Sequence, residues 1–596
     1  RHPQASDRQH QCGFAACQGG CGAVQEHRPM GLLVALHLRA NRAHHRAAQA
    51  PAGAVGGGVT AGFRMKRFLY SAKSFFRPSL ENLHNPYLMK DMDRAVERIE
   101  SAIKNGENIL VFGDYDVDGT TSVSLMASYL KAIHPNIATY IPDRYDEGYG
   151  VSYQGIDYAE DNNITLIIAL DCGIKAIDKV LYAKEKGIDF IICDHHRPGN
   201  EIPAAIAVLD PKREDCEYPY KELCGCGVGF KLIQALAEKR GQTIEDLVEY
   251  LDLVSIAIAA DIVPITGENR ILAYYGLQVI NQSPRTGIKA LIHQVKKEEL
   301  TITDVVFIIA PRINAAGRIK HGNYAVELLT EIDFETAVKF ATEIEQNNTD
   351  RKDLDKSITV EALQQIEENN EQQSYSTVVY SENWHKGVIG IVASRLIETY
   401  YKPTLVFTKS GDQLAASARS VKGFDVYEAL EACSEFIEQF GGHKYAAGLT
   451  IKEENYQNFK QKFEEVVKNT LPQELRTPEI SIDAELNLCD ITPKFFRIIN
   501  QLSPFGPQNM KPTFCSTGLR DNGYGKKVGA DETHLKLNIF EGSNQTTYNA
   551  IGFSMGDKIE LVQNGKPFKA AYNINENHWN GNTSLQLLLK DLQEDL

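Results

Sequence analysis

The chain contains 596 residues, of which 43% are hydrophobic and 24% are charged, and its formal net charge is −15. This length is too great for one hydrophobic core and predicts roughly three or four domains, within the ordinary composition of a soluble globular protein. No run of about 18 apolar residues occurs, which excludes a transmembrane helix, whereas the negative charge excludes little because nucleic-acid binding depends on a local basic groove.

The eleven cysteines form no Cys-x-x-Cys pair, so the sequence offers no sign of a zinc knuckle. Cys172 and Cys193 lie in apolar runs and are interpreted as small buried residues rather than ligands or disulfide partners. This use of cysteine favours a reducing compartment, and the predicted location is the cytoplasm.

The first 64 residues differ from the remainder of the chain. They contain no Lys, Ile or Tyr, but seven Arg and six of the sixteen His. The arginine content would suit a transit peptide, whereas the many Gly and His and the absence of an apolar segment do not. We interpret residues 1–64 as a leader foreign to the fold, mostly disordered, that ends near Met65.

From Ala95 onward, short apolar runs rich in β-branched residues alternate with helical periods. The runs lie at 109–112, 138–141, 166–170, 190–193 and 205–209. Runs of this length and composition suit strands that are buried on both faces of a sheet. The pattern predicts an α/β fold with a parallel sheet, which we assign to residues 65–322.

Acidic and histidine residues follow several of these predicted strands. They are Asp114, Asp116 and Asp118 after the first strand, Asp171 after the third, Asp194, His195 and His196 after the fourth, and Asp261 after a helical stretch at 244–260. Ligands of such sheets gather at the carboxyl ends of the strands, so we expect these side chains to converge. Single segments also have simpler interpretations, with Asp118 as a helix N-cap and Asp171 as part of a turn.

Carboxylates and imidazole without thiolate favour Mn²⁺ or Mg²⁺ over a structural zinc ion. The candidate ligands are Asp116, Asp118, Asp171, His195 and Asp261. Five ligands exceed the needs of one ion, so we predict two ions bridged by Asp171, an arrangement that suits in-line attack on phosphorus. Asp194 is expected to orient an imidazole. His196 either contacts the scissile phosphate or protonates the leaving oxygen.

The span from Asn323 to Lys386 contains no Gly or Pro, which predicts connecting helices over 323–373. A second α/β domain is predicted at 374–471, with strands at 377–380 and 404–407. It carries two motifs of small residues, one with Ser417 and Arg419 and one that begins Gly441-Gly442-His443. Gly-rich loops let backbone amides approach phosphate and arginine can grip it, although a glycine pair is more often a tight turn.

From Thr477 onward, short segments alternate apolar and polar residues. They lie at 480–488, 534–540, 547–553, 568–574 and 584–589. Five such strands predict a small barrel of the oligonucleotide-binding type over residues 472–596. Aromatic residues of this part could stack on bases, although most are expected in the core; they are Phe505, Tyr548, Tyr572 and Trp579.

Taken together, these motifs resemble the DHH phosphoesterase superfamily. The resemblance rests on Gly-Asp-Tyr-Asp-Val-Asp-Gly at 113–119, on Asp171-Cys-Gly, on Asp194-His195-His196 and on Asp261-Ile-Val-Pro. The Gly441-Gly442-His443 motif resembles the companion DHHA1 domain. Within the superfamily the chain is similar to the single-strand-specific 5′→3′ DNA exonucleases of bacteria over roughly residues 72–596.

The resemblance implies a role for each matching residue. It implies that Asp116, Asp118, Asp171, His195 and Asp261 bind Mn²⁺ or Mg²⁺, with Asp114, Asp194 and His196 in support. It also implies that Arg144, Ser417 and Arg419 hold the 5′-terminal phosphate, and that Asn314 and Arg318 line the path of the strand.

We therefore predict a monomeric hydrolase that degrades single-stranded DNA to mononucleotides in recombination and repair, aided by a single-strand-binding protein and a helicase. One alternative is a DHH phosphodiesterase for short oligonucleotides or cyclic dinucleotides, which would not need the predicted barrel. The other is a non-catalytic nucleic-acid-binding relative, which would be expected to lack ligands that this sequence retains.

Overall fold

The computed structural model describes residues 74–595, except for Tyr145, Gln294, Lys296, 320–321, 543–545 and Asn580, and for the side chains of Arg318, Ile319 and Trp579. The predicted leader at 1–64 lies outside the described residues. The chain divides into a first unit, which ends at Arg351 but also includes Leu502–Met510, and a second unit, which comprises Lys352–Gln501 and the chain from Lys511 onward. Across the described part of the chain, we find no helix that is both long and apolar enough to cross a membrane.

The first unit is built on a five-stranded parallel sheet. Its strands are β1 (Asn108–Gly113), β2 (Ile137–Tyr140), β3 (Ile164–Leu170), β4 (Asp189–Cys193) and β5 (Ala207–Leu209). Their order is β2-β1-β3-β4-β5, so the direction of the strand order reverses between β1 and β3. Ligands of open α/β sheets bind at this reversal, outside the carboxyl ends of the strands. The predicted parallel α/β fold is confirmed.

Both faces of this sheet are buried. Leu110 and Phe112 belong to the hydrophobic core on one face, whereas Ile109 and Val111 belong to the core on the other. Side chains alternate between the two faces along a strand, so strands buried on both sides read as continuous apolar runs. The main helices of the unit are Met92–Asn105, Val117–Lys131, Tyr153–Asp161, Ile177–Glu185, Gly225–Lys239, Leu251–Ala260, Gly267–Gln282, Thr286–Ile292, Ala310–Ile319 and Asn323–Thr330.

A buried ion pair joins two of these helices. Lys231 Nζ lies 3.3 Å from Glu268 Oε1, and both side chains are fully buried. Glu268 also accepts hydrogen bonds from Tyr218 Oη at 2.7 Å and from His84 N at 2.9 Å. The lysine donates in turn to His84 O at 2.6 Å. Each charge is thus compensated inside the core.

Replacing Glu268 by alanine is expected to lower the free energy of unfolding by about 3–5 kcal/mol, because it leaves Lys231 as an unpaired buried charge. Chemical denaturation would measure the loss. Glu100→Ala is the control, since the Glu100–Arg240 pair is partly exposed and its removal should cost about 1 kcal/mol or less. A Glu268→Ala variant as stable as the control would contradict the prediction.

The helix Phe334–Glu368 spans 35 residues and, with Asn323–Thr330, occupies most of the segment predicted as connecting helices. It is followed in the second unit by a sheet of order β6-β7-β8-β10-β9. The strands are β6 (Thr377–Tyr380), β7 (Thr404–Ser410), β8 (Gln413–Arg419), β9 (Gln439–His443) and β10 (Ala446–Lys452). Helices Ile389–Tyr400 and Tyr456–Thr470 complete this second α/β domain.

The last domain is a β-barrel. Its strands are β11 (Ala484–Glu485), β12 (Phe514–Asp521), β13 (Lys526–Val528), β14 (His534–Glu541), β15 (Thr547–Gly552), β16 (Phe568–Trp579) and β17 (Asn582–Glu594). The pairing of β12 with β14 closes the sheet on itself. The predicted barrel is confirmed. The strand predicted at 480–488 is wrong in extent, because only Ala484–Glu485 pairs with a neighbouring strand. Strand β12 was not predicted, because its first residues are buried in succession and do not alternate between buried and exposed.

The aromatic residues that were considered for base stacking have different environments. Tyr572 is fully buried and its hydroxyl group bonds to Ser516, so it is a core residue. Tyr548 is half-buried and donates to Ile491 O. Phe505 belongs to the first unit rather than to the barrel, and the side chain of Trp579 lies outside the described part of the chain.

Candidate metal centre at the strand ends

The first predicted ligands lie where β1 passes into the helix Val117–Lys131. Asp116 is the N-cap of this helix, because its Oδ1 accepts a hydrogen bond from Gly119 N at 3.0 Å. Asp118 lies inside the first turn, so its interpretation as the N-cap is wrong. The cap satisfies a free backbone amide and fixes the start of the helix, which in turn determines where Asp118 points.

Asp118 is buried and is held by a helix that begins far along the chain. Its Oδ2 accepts a hydrogen bond from Gly225 N and its Oδ1 accepts one from Cys226 N, each at 2.7 Å. These amides form the N-terminus of Gly225–Lys239, where the helix dipole favours a negative charge. Burial nevertheless raises the pKa of Asp118 to about 7, and the charge of Asp116 adds to the rise. A nearby cation would stabilise the ionised form.

Asp171 follows β3 at the same edge of the sheet. Its backbone is left-handed, with φ of 59°, which is uncommon for a residue with a side chain. Burial raises its pKa well above the usual value, and Asp118 adds to this effect. Its Oδ1 is buried and has no hydrogen-bond partner among the described residues. A strained backbone and an unsatisfied buried carboxylate are typical of a functional site.

His195 brings the carboxylates together. Its Nε2 lies 3.2 Å from Asp171 Oδ1 and 3.6 Å from Asp261 Oδ2. Asp118 Oδ2 lies 3.8 Å from the same nitrogen. Burial lowers the pKa of His195 to about 3, helped by the charge of His196, so the ring is neutral and can offer a lone pair. This buried nitrogen also makes no hydrogen bond to the described residues.

Two sets of side chains could hold a cation, each with its donor atoms within 4.8 Å of one another. They are Asp171, His195 and His196, and Asp118, His195 and Asp261. Burial raises the pKa of Asp261 to about 8, and the charges of Asp118 and Asp116 add to the rise. The carboxylate oxygens and the neutral imidazole of His195, with unsatisfied atoms among them, fit Mn²⁺ or Mg²⁺. Asp116 belongs to neither set, and its role as a direct ligand stays a prediction.

Asp194 lies behind the two histidines. Its Oδ1 accepts hydrogen bonds from His196 Nδ1 at 2.7 Å and from the backbone amide of His195 at 2.7 Å, while its Oδ2 accepts one from Ile174 N at 2.9 Å. Burial by itself would raise the pKa of Asp194. The hydrogen bond from His196 is the largest of the contacts that lower it, and together they bring the pKa to about 2. Burial likewise disfavours a charged His196, and the bond to Asp194 outweighs it and raises the pKa to about 9. The pair is therefore a carboxylate and an imidazolium. In this charged form His196 has no lone pair to offer a cation, which leaves Asp171 and His195 as the donors of their set.

Sequence reasoning missed two features of this site. Tyr149 Oη lies 3.2 Å from His196 Nε2, opposite the nitrogen that Asp194 binds. The helix amides of Gly225 and Cys226 were also missed, although the glycine-rich run that follows β5 was a possible signal. Asp114, predicted as support, is fully buried and accepts a hydrogen bond from Gly150 N at 3.1 Å.

The predicted DNA-binding residues of the first unit lie on separate segments. The guanidinium of Arg144 stacks 3.9 Å above the ring of Tyr115 and donates to Gly317 O at 3.3 Å. Asn314 lies in the helix Ala310–Ile319, and its buried Oδ1 has no hydrogen-bond partner among the described residues. The side chain of Arg318 lies outside the described part of the chain.

The remaining predicted residues belong to the second unit. Arg419 Nη1 donates to Ser417 Oγ at 3.0 Å, and burial lowers the pKa of Arg419. Gly441, Gly442 and His443 do not form a loop, because they lie in β9 and pair with β10. All three are exposed at the edge of the sheet. The expectation that these residues form a loop is therefore wrong, since backbone pairing extends this segment into a strand. Their contact with the 5′-phosphate or DNA stays a prediction.

Comparison with known proteins assigns each domain. Residues 108–258 match the DHH family N-terminal domain, residues 372–469 the DHHA1 domain, and residues 482–591 the RecJ OB domain. The chain is 38% identical to the single-stranded-DNA-specific exonuclease RecJ of Bacillus subtilis over 87% of this chain and 66% of that protein. It is 32% identical to the Escherichia coli protein of the same name over 85% of this chain and 90% of that one.

Solved structures give the same result. The crystal structure of RecJ in complex with Mn²⁺ from Thermus thermophilus matches with a TM-score of 0.75 and 27% identity, over 88% of this chain and 74% of that chain. A structure of exonuclease RecJ bound to manganese matches with a TM-score of 0.59 and 30% identity, over 67% of this chain and 99% of that chain.

Proposed function

The chain belongs to the RecJ family of single-stranded-DNA-specific exonucleases, and from this premise we propose that it degrades single-stranded DNA from the 5′ end to mononucleotides. The observation that carries the proposal is the convergence of Asp118, Asp171 and Asp261 on the neutral ring of His195. Buried carboxylates with raised pKa values are costly to keep, and a bound cation removes that cost.

The proposed cofactors are two divalent ions, Mn²⁺ or Mg²⁺. The ligands would be Asp116, Asp118, Asp171, His195 and Asp261, with Asp171 as the proposed bridge. When bound, such ions supply Lewis acidity toward phosphoryl oxygens and lower the pKa of a coordinated water. The unsatisfied Oδ1 of Asp171 and Nε2 of His195 support this assignment.

His196 has a separate proposed role in the reaction. Asp194 holds its ring through Nδ1, and Tyr149 contacts the other side through Nε2. As a positively charged ring that is still partly exposed, it can donate a hydrogen bond to the scissile phosphate and stabilise the negative charge that develops there. The same ring can protonate the leaving oxygen, and both of its predicted roles stay open.

The DNA-binding parts follow from the same premise. Arg144, Ser417 and Arg419 are the proposed contacts of the 5′-terminal phosphate, and Asn314 and Arg318 the proposed contacts along the strand. The barrel would hold the trailing strand with little sequence preference. We further propose that the protein acts as a monomer in the cytoplasm during recombination and repair, supplied with single strands by a helicase and a single-strand-binding protein.

Digestion of single strands that carry a label at either end tests the proposal. With Mn²⁺ or Mg²⁺, a 5′-phosphorylated strand should release its 5′ label at once as a mononucleotide, whereas a 3′ label should remain on progressively shorter strands. Blunt duplex should resist, and chelation of the metal should stop the reaction. Hydrolysis of dinucleotides without attack on long strands would instead favour a phosphodiesterase of small substrates.

A further inference from the structure

One segment of the first unit comes from a distant part of the sequence. Leu502–Met510 groups with the first unit, although the helix before it, Pro493–Asn500, and the strand after it, β12, belong to the second. These nine residues therefore pack as part of the first unit, whereas the chain on either side of them is part of the second. Their contacts in the first unit concentrate on the chain that follows the candidate ligand Asp261.

Arg270 holds the start of this segment. The arginine lies in the helix Gly267–Gln282 and is buried. Its Nη1 donates to Leu502 O at 2.8 Å and its Nη2 donates to Ser503 O at 2.8 Å. Its Nε donates to Phe75 O at 3.2 Å, and the guanidinium stacks 4.0 Å from the Phe75 ring. A fork of donors is well suited to fixing successive carbonyl groups.

Asn509 closes the segment into a compact loop. Its Nδ2 donates to Leu502 O at 2.9 Å and to Pro504 O at 2.8 Å. The backbones of Asn509 and Gly506 also exchange hydrogen bonds, at 2.9 and 3.1 Å. Hydrogen bonds within the segment therefore fix the conformation of the loop, including the position of the Pro507 carbonyl group.

The loop contacts the turn that carries Asp261. Ile265 N donates to Pro507 O at 2.8 Å. At Gly506 there is no room for a side chain, because a Cβ atom would lie 2.5 Å from Ile265 Cγ1. Between Asp261 and Ile265, the residue Ile262 has a left-handed backbone, with φ of 59°, although its side chain is 67% exposed.

A β-branched residue is strained in this conformation, which persists only where the surroundings impose it. Its own side chain cannot do so because it is largely exposed. The turn is instead held by hydrogen bonds along its length. Asp261 N bonds to Ala257 O at 2.9 Å, Pro264 O accepts from Tyr220 Oη at 3.2 Å and from Asn269 Nδ2 at 3.1 Å, and Ile265 N bonds to Pro507 O. The bond to Pro507 is the contribution of Leu502–Met510 to this support, at the end of the turn where Ile265 lies.

We propose that Leu502–Met510 is a positioning segment for Asp261, which keeps this carboxylate aimed at His195 so that it can bind a divalent cation. The inference rests on the proposed function in that Asp261 is taken as a metal ligand. Residues that orient a ligand commonly change metal affinity by about 10–100-fold when they are replaced. Replacing residues of this segment is expected to weaken metal binding, and to lower the cleavage rate at saturating metal to a lesser degree.

Titration of the whole 596-residue chain with Mn²⁺, followed by electron paramagnetic resonance, tests the proposal without reference to nuclease activity. Gly506→Ala should displace Ile265 and raise the dissociation constant for Mn²⁺ about 10-fold. Asn509→Ala, which removes two hydrogen bonds without adding a clash, should shift it in the same direction if Gly506→Ala does not fold. Met510→Ala is the control within the segment, because its side chain is 72% exposed, and should leave the affinity unchanged.

A double-mutant cycle separates positioning from general loss of structure. In an Asp261→Ala background, Gly506→Ala should cause no further loss of Mn²⁺ affinity. Folded Gly506→Ala and Asn509→Ala variants with wild-type affinity would overturn the proposal, as would an undiminished effect in the absence of Asp261. Failure of the proposed function would look different, since the wild-type protein would then bind Mn²⁺ but leave single strands intact.

Discussion

Replacing His195 by alanine is expected to lower the rate of single-strand cleavage by about three orders of magnitude or more. The ring nitrogen is the point on which Asp118, Asp171 and Asp261 converge, and its loss leaves the carboxylates without the neutral donor of the set. Metal-assisted stabilisation of the transition state contributes several kcal/mol, and each 1.36 kcal/mol corresponds to about a factor of ten. Rates of release of a 5′ label, measured with and without Mn²⁺, provide the test.

The same variant should bind single-stranded DNA almost as tightly as the wild type, because the proposed phosphate contacts and the barrel are unchanged. Fluorescence anisotropy with a labelled strand in the presence of a chelator would measure this binding. His293→Ala is a suitable control, since His293 belongs to neither set of candidate ligands. Retained cleavage by His195→Ala in Mn²⁺ would contradict the assignment of the site.

The general position of this site can be predicted from the sequence, because it depends only on which residues directly follow the strands of a parallel sheet. Asp118, Asp171 and His195 each follow a strand, and the carboxyl ends of parallel strands share one edge of the sheet. Alternation of apolar runs with helical periods was sufficient to predict that sheet. The barrel strand β12 was missed for a related reason, since its first residues are buried in succession and lack the alternation that identifies a half-exposed strand.

The supporting contacts could not be predicted, because they depend on long-range packing. Nothing near Asp118 in the sequence indicates that Gly225 N and Cys226 N hold it across 107 and 108 residues. Nor does any pattern place Pro507 against Ile265, because Lys352–Gln501, which lies between them in the sequence, belongs to the second unit. Local sequence determines which residues reach the edge of the sheet, whereas tertiary packing determines how firmly each is held.

Gly225 shows how closely packed this support is. A Cβ atom at this position would lie 2.5 Å from Asp171 Cβ and 2.6 Å from Asp171 Oδ1. Both distances are below any van der Waals contact, so one of the two segments would have to move. The same glycine donates its amide to Asp118 Oδ2, and a shift of the helix start would therefore disturb a second carboxylate.

Gly225→Ala is therefore expected to reduce cleavage about 100-fold, because displacement of catalytic groups by about 1 Å costs on that order. Overpacking should also lower the free energy of unfolding by about 1–3 kcal/mol. Steady-state cleavage rates across a range of Mn²⁺ concentrations, together with chemical denaturation, would measure both effects.

Gly227→Ala provides a matched control two residues along the same helix. A Cβ atom there would lie 3.4 Å from Leu223 Cδ2, which is an ordinary contact. Alanine is favoured over glycine inside a helix by about 1 kcal/mol, so this variant should be equally active and no less stable than the wild type. Equal activity of the two variants would show that Asp171 does not depend on the space at Gly225. A loss confined to Gly225→Ala would show that backbone packing, and not only the choice of carboxylates, determines activity.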